Sequence, residues 1–506
     1  MNWLVVLPVI VPFAMAAITL CLRNHLRLQG RAAIFGALVH LVVCMTLLTR
    51  VAKTGIVTIQ IGSWPAPFGI TLAADHFSAI LVAVTAILGL AVTAYSRAEI
   101  RAGMLAVGYQ PLLHILIGGV CGAFLTGDLF NLYVWFEVML MASFGLLVMG
   151  GEKDQLDGGV KYVMINLFAT LLFISGIGLL YGMTGTLNMA DLHFAVQQVE
   201  HKGLLTAVAA LFMTAFGIKA GIFPLFFWLP VSYHTPPVAV STIMAGLLTK
   251  VGVYALIRMF TLVFIFDIAY THGILLAAGV LTMIVGVLGT AAFYEIRRIL
   301  SFHIISQVGY MILGLALFTP LALTGAVFFL VHNMIVKANL FLISGVCRQK
   351  AGSFELARIG GLYKNHGLIT ILFFISAFSL AGFPPLSGFW AKFLVIRAGL
   401  EAKAYVAAAA AIVVGLLTTY SMTKIWAEAF WKPAPAAESE SAPEPENAAQ
   451  GRERYDFWLY APIVVLVILT LAMGLAPAPF VNLAGSAAHE LMNPGIYVDA
   501  VLGGGR

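Results

Sequence analysis

Charge is scarce in this chain. Of its 506 residues 10% are Asp, Glu, Lys or Arg, and 61% are hydrophobic. Soluble domains carry about 25% charged residues, so the shortage excludes an ordinary soluble globular protein. Cysteine is scarce too. Cys21, Cys44, Cys121 and Cys347 all fall within or at the ends of apolar stretches. No CxxC pair or His/Cys cluster accompanies them, so neither a disulfide framework nor a metal site is indicated. The first residues, MNWLVVLPVIVPFAMAAITLCLR, lack the basic n-region and small-residue cleavage site of a signal peptide and read as a membrane span. No Gly-rich loop runs into Lys-Ser/Thr, even at Gly360-Gly361, so no nucleotide or redox cofactor is indicated. The net charge of +6 does not imply nucleic acid, because the basic residues cluster in short loops between apolar runs.

Those runs are what the chain is made of. A spanning helix needs about 20 mostly apolar residues. That rule predicts an all-α polytopic membrane protein of about 14 transmembrane helices. Seventeen of the 28 Lys and Arg fall in loops after odd-numbered spans, and seven, Arg258 among them, after even-numbered spans or at the C-terminus. The richer set is expected on the cytoplasmic side, with both termini on the outer face of a cell membrane. Residues 1–108 read as three helices with an outer-face hairpin at IVTIQIGSWPAPFGITLAAD. Residues 109–260 and 261–427 read as two five-helix units, and 428–457 as a cytoplasmic linker too poor in large apolar residues to fold. The last helix and tail occupy 458–506.

The two units share a signature. Ala220-Gly221 precedes Phe223-Pro224-Leu225 and Trp228; Ala381-Gly382 precedes Phe383-Pro384-Pro385-Leu386 and Trp390. Each stretch breaks a long apolar run, predicting interrupted seventh and twelfth helices at Pro224 and at Pro384 and Pro385. Paired breaks of this kind point to a transporter's site. An odd number of helices per unit makes the second copy insert upside down, an inverted repeat.

Four lysines lie inside spans: Lys219, Lys250, Lys337 and Lys392. One carboxylate, Glu137, sits in a span with no other charge. A charge at bilayer depth costs about 3 kcal/mol even on insertion scales, and such residues mark ion pathways. One lysine alone could snorkel to the interface, but four with a glutamate fit that reading poorly. Burial disfavours the charged form, so of four lysines facing one glutamate some must be neutral part of the time, and a lysine that alternates can carry a proton. Asn333 lies four residues before Lys337, on the same helical face. His303, Ser306, Gln307 and Tyr310 share one face of the tenth span, where they could line a file of water or act as interhelical glue. His332 opens the eleventh span's polar stretch.

The runs KAGIFPLFFWLP (219–230), PPVAVS (236–241), LLTKVGVYALIR (247–258), GSWPAPFGITLAADHFSAIL (62–81) and AGFPPLSGFWAK (381–392) resemble the antiporter-like proton-channel family. That family includes large membrane subunits of respiratory complex I, related hydrogenases and Mrp-type sodium/proton antiporters, and the chain is most similar to the Mrp branch. The resemblance covers almost the whole chain. It implies fourteen helices, two inverted five-helix repeats and a hydrated polar axis at mid-membrane. It implies proton translocation by Glu137, Lys219, Lys250 and Lys392, with His332 and Lys337 at the family's eleventh-helix polar positions. Val231 departs from the family, many of whose members carry aspartate there. The partners implied are the other subunits of a hetero-oligomeric antiporter, protons, Na+ and membrane lipid. Lysine at 392, and the short tail at 481–506, argue against the complex I branches with glutamate there or a long lateral helix. Two rival readings predict different lesions. A redox-driven pump subunit would use the same residues but draw energy from a neighbouring quinone or hydrogenase module. A scaffold subunit would tolerate neutral substitutions at every lysine.

Overall fold

The structure, a computed structural model, describes residues 2–434 and 449–503. The stretch 435–448 of the expected linker lies outside them. Helices α1 (Leu7–Cys21) and α2 (Leu26–Thr54) lead into an antiparallel hairpin, β1 (Val57–Gln60) and β2 (Thr71–Ala74), paired from Val57↔Ala74 to Gln60↔Thr71. Then come α3 (His76–Glu99), α4 (Tyr109–Leu125), α5 (Leu129–Val148) and α6 (Lys153–Thr184). The seventh helix is in two pieces, α7a (Lys202–Ala220) and α7b (Trp228–Ser232). Next are α8 (Val238–Leu262), α9 (Ile268–Ala292), α10 (Ile296–Leu317) and α11 (Pro320–Ala351). The twelfth is again split, α12a (Gly367–Ala381) and α12b (Ser387–Glu401), and α13 (Tyr405–Trp431) and α14 (Ala449–Leu475) follow. Among the described residues eleven helices are long and apolar enough to cross a membrane; α1, α4 and α12a are apolar but shorter.

The chain has more helix than its apolar runs announce. Met189–Gln198 forms a short helix between α6 and α7a. α14 starts at Ala449, inside the stretch read as linker, and the tail forms α15 (Ala478–Met492) and α16 (Pro494–Leu502). These last two close over the hairpin end of the bundle. Thr58 and Gln60 donate to the carbonyls of Ala500 and Val501, and Asn2 donates to Thr58 O at 3.1 Å, so Asn2 and α16 meet at β1.

The two breaks are built alike. Gly221 (φ 76°) and Gly382 (φ 98°) end α7a and α12a in the left-handed region, where glycine alone is unstrained. The amide of Ile222 returns to Gly217 O, and that of Phe383 to Phe378 O, the same backward bond at corresponding positions. Each following proline removes an amide donor, so the helix cannot resume at once.

Burial sorts the helices by role. The apolar window of α11 is buried throughout and those of α8 and α10 almost throughout, whereas those of α2, α6, α9 and α13 are only 33–39% buried. The helices carrying Lys250, His303 and Lys337 are therefore the core of the bundle, and the outer ring can meet lipid or partners. Close approach fixes the broken segments. A Cβ at Gly252 of α8 would lie 2.5 Å from the amide of Ala220, and one at Gly474 of α14 would lie 2.5 Å from Pro385 O. Helix α14 thus packs against the second break itself, and Trp390 Nε1 donates to Gly474 O at 3.0 Å. Overpacking costs about 1–3 kcal/mol where side chains can yield; here the neighbour is backbone. Gly474→Val is expected to lower the melting temperature of the purified assembly, read by fluorescence-detected size exclusion after heating. An unchanged midpoint would show that α14 is not clamped there.

Candidate functional site

The five ionisable residues singled out in the spans fall into an ordered series. At its start, α5, α6 and α7a converge. Thr170 Oγ1 donates to Glu137 Oε1 at 2.7 Å, and Lys219 Nζ lies 3.4 Å from the same hydroxyl. Glu137 and Lys219 form no direct ion pair; Thr170 stands between them, with the ammonium 5.2 Å from the centre of the Phe136 ring. A cavity of about 20 Å³ borders Lys219, lined also by Tyr162, Asn166, Trp228 and Leu248. That is room for one water. Nothing in the sequence distinguishes Thr170 from the other threonines of the spans, most of which bond their own helix backbone, as Thr206, Thr214 and Thr418 do.

Leu248 leads to α8. Residues Met244–Leu248 are wound as a π turn, a local widening that often marks functional positions. The Lys250 ammonium folds back onto Ala245 O, inside that turn, at 2.5 Å. Gly246 and Gly252 flank the lysine: a Cβ on the first would be 3.6 Å from Ala338 Cβ of α11, and on the second would meet Ala220 beside Lys219. One helix therefore touches both neighbours of the series.

On α11, Lys337 is fully buried and reaches Leu300 O of α10 at 3.4 Å. Asn333, one turn earlier, is buried with neither amide atom bonded to protein, and the same is true of Gln307. Buried amides are rarely left unpaired, and polar sites of this kind are where interior water is held. The stripe on α10 does not act as one surface. His303 Nε2 meets Ser421 Oγ of α13 at 2.6 Å, and the Tyr310 hydroxyl donates to Ala411 O of α13, but Ser306 donates to Met283 O of α9 at 3.1 Å. Ser306 sits where Gly286 lets α9 approach, so its hydroxyl ties two helices.

The series ends at the second break. His332 Nδ1 is 2.9 Å from Ser387 Oγ, and Ser387 Oγ is 3.0 Å from Ser379 Oγ. Lys392 Nζ donates to Ala381 O, a carbonyl freed by the break, at 2.7 Å, and lies 5.5 Å from the Tyr310 ring centre.

Each end of α8 is finished differently. At its N-terminus, Glu99 of α3 accepts the amides of Val238 and Ala239 (2.7 Å for the second), a carboxylate on the positive end of the helix. Beside it opens a cavity of about 530 Å³ lined by Arg297, Arg298, Arg348, Glu295 and His234. Burial, then the neighbouring Arg298 and Arg297, push His234 down to about 4, so it is neutral at pH 7. Its Nε2 accepts from Arg298 and its Nδ1 faces Pro230 O, which leaves the proton on Nδ1. At the C-terminal end of α8 lies Arg258. Counted among loop residues from the sequence, it is inside the helix, 4% exposed and paired with Asp75. Pairing is what lets an arginine sit there. Neither Asp75 nor Glu99 stood out in the sequence, because each adjoins a span end, where charge is ordinary.

Residues 126–418 match the family model described as NADH:quinone oxidoreductase/Mrp antiporter, TM. The chain is 44% identical to the D subunit of the Na+/H+ antiporter of Alkalihalophilus pseudofirmus, over 99% of this chain and 100% of that one. It is 40% identical to the protein of the same name from Bacillus subtilis, again over 99% and 100%. A chain in the solved Mrp complex from a Dietzia species superposes with a TM-score of 0.89 at 34% identity, over 99% and 100% of the two chains. With a family model covering more than half its length and relatives similar from end to end, the chain belongs to the NADH:quinone oxidoreductase/Mrp antiporter family, among the D subunits of Mrp-type Na+/H+ antiporters.

Proposed function

We propose that this chain is the proton-translocating subunit of a multi-subunit Na+/H+ antiporter in the bacterial inner membrane. The observation that carries the reading is the buried series itself. Four lysines on four helices lie at the core, and three of them rest on backbone carbonyls instead of carboxylates. Carbonyls hold an ammonium in place without neutralising it. A bilayer interior cannot keep four such charges against one glutamate, so each lysine takes its charge as a proton arrives and gives it up as the proton moves on. The order is Glu137 with Thr170 and Lys219, then Lys250, then Lys337 with His332, then Lys392. Gln307 and Asn333 hold water between them.

Lys and Arg gather at the end of the bundle opposite the hairpin, where Arg297, Arg298 and Arg348 line the large cavity. The positive-inside rule makes that face cytoplasmic and puts both termini outside. Protons moving inward release about 2.3 kcal/mol per charge per 100 mV, which partner subunits couple to Na+ export. The test uses everted vesicles from a host lacking its own antiporters, with this chain and its partner subunits expressed together. Added Na+ is expected to collapse an imposed pH gradient only when the chain is included. An assembled complex that never exchanges Na+ for protons would sink this function.

A further inference from the structure

We propose that the hydroxyls of Ser379 and Ser387 are a proton relay across the break in α12, joining His332 to Lys392. The inference rests on the proton-carrying role given above to that lysine series. Serines in membrane helices ordinarily bond back to their own helix one turn earlier. Ser376 does so, donating to Leu372 O at 2.9 Å. Ser379, one turn on, instead faces across the break. Its hydroxyl lies 3.0 Å from that of Ser387, and Ser387 Oγ lies 2.9 Å from His332 Nδ1. Ser379 and Ser387 are fully buried and His332 is 1% exposed, so no bulk water competes for these bonds.

The arrangement is shaped to hold this contact. Gly388, directly after Ser387, donates its amide to Ser379 Oγ at 3.4 Å. A Cβ there would overlap the Ser379 carbonyl and approach His332 Nε2 to 3.0 Å, so only glycine lets the two half-helices close on the imidazole. Lys392 stands beside the far end of the line without a hydrogen bond to Ser379. Its Nζ sits on Ala381 O, two residues past Ser379, and its stem crosses Gly382, where a Cβ would lie 2.9 Å from Lys392 Cδ.

One transfer moves one proton. Protonated His332 gives Nδ1–H to Ser387 Oγ; the Ser387 hydroxyl proton passes to Ser379 Oγ; the Ser379 proton passes to neutral Lys392 once its amine turns from Ala381 O toward that hydroxyl. His332 is left neutral, Lys392 becomes ammonium, and each serine has gained and lost one proton. Turning the two hydroxyls restores the starting direction.

The test measures Na+-driven proton flux in everted vesicles holding the whole assembly. The variants are Ser379→Ala, Ser387→Ala, the double variant, Ser387→Thr and Lys392→Ala, each checked for co-purification with its partners. Each single alanine is expected to slow flux about 10-fold or more, with the half-saturating Na+ concentration unchanged and a larger slowing in D2O. The double variant should be no slower than the slower single one, since both interrupt one line, and Ser387→Thr should keep most of the rate. Assembled alanine variants at wild-type rates, with Lys392→Ala inactive, would overturn the relay and leave the lysine series standing. Wild-type flux in Lys392→Ala would instead overturn the series. Should Ser387→Ala fail to assemble, Ser379→Ala decides alone.

Discussion

Lys219→Ala is expected to abolish Na+-dependent proton exchange while the protein still joins its complex. The lysine stands at the junction of two links. On one side is Thr170, which holds Glu137; on the other is the small cavity bordered by Leu248, on the π turn that holds Lys250. Removing a positioned proton carrier costs about 10²–10⁴-fold, below detection in a vesicle assay. Assembly should survive, because Glu137 keeps its 2.7 Å bond from Thr170 and is not left bare. Arginine at the same place separates two explanations. If position 219 only supplied positive charge, Lys219→Arg would work. A guanidinium does not release its proton in proteins, so the proton role predicts that Lys219→Arg is as inactive as alanine. Thr170→Val should fall between, with flux down roughly 10-fold, since a hydroxyl link worth about 1 kcal/mol is lost but both ionisable groups remain. Full exchange by an assembled Lys219→Arg would end the proton-carrier account.

The architecture is written in the chain at low resolution. Long apolar runs give the spans, and Gly-Pro pairs give the breaks, because nothing else in a membrane helix removes an amide and turns the backbone at once. What composition does not give is the short or amphipathic helix. α15 and α16 are below spanning length, and their docking depends on side chains from distant spans: Glu490 accepts from the amide of His76 at 2.9 Å and meets its Nδ1 at 2.7 Å.

The site shows the same division. Glu137 and the four lysines are conspicuous because charge in a span is rare. Their partners are not, since Thr170, Ser379, Ser387 and the carbonyls of Ala245 and Ala381 are common groups made special by position. Even the sharing of a face misleads when neighbours differ. Ser306 lies on the same side of α10 as His303 by helical count, but the tight α9 contact captures its hydroxyl while His303 turns to Ser421. Arg258 shows the opposite error. Its charge near a span end suggests a loop, and only the fold brings Asp75 close enough for it to be buried.

That pair yields the largest expected effect on stability. Arg258→Leu is expected to destabilise the protein by about 3–5 kcal/mol, the usual cost of leaving one member of a buried pair alone. Asp75 is fully buried at the start of α3, and the guanidinium is held among the rings of Phe77, Tyr254 and Tyr497, 4.9 Å from the last. Asp75→Asn should cost far less than the arginine loss when made together with it. Asparagine still caps a helix N-terminus, so the Ser78 amide keeps its bond, and replacing both charges removes the stranded carboxylate. The dependence on pH has a definite sign. In the wild type, burial works to raise the Asp75 carboxyl, but Arg258 and then Ser78 outweigh it and hold it below the usual carboxylate range. A folded value below the unfolded one, about 3.9, contributes stability above about pH 4 that is lost only as pH falls through the lower folded value. In Arg258→Leu the guanidinium, the strongest influence opposing burial, is gone. The folded value then lies above the unfolded one, and the penalty eases as acid protonates the carboxyl. Melting of the detergent-purified complex from pH 8 to pH 5 should show the gap between wild type and Arg258→Leu narrowing, and the Asp75→Asn/Arg258→Leu double variant should sit closer to wild type at pH 8. A gap that does not change with pH, or a double variant no more stable than the single, would mean that lost packing around the three rings sets the cost, and not a stranded charge.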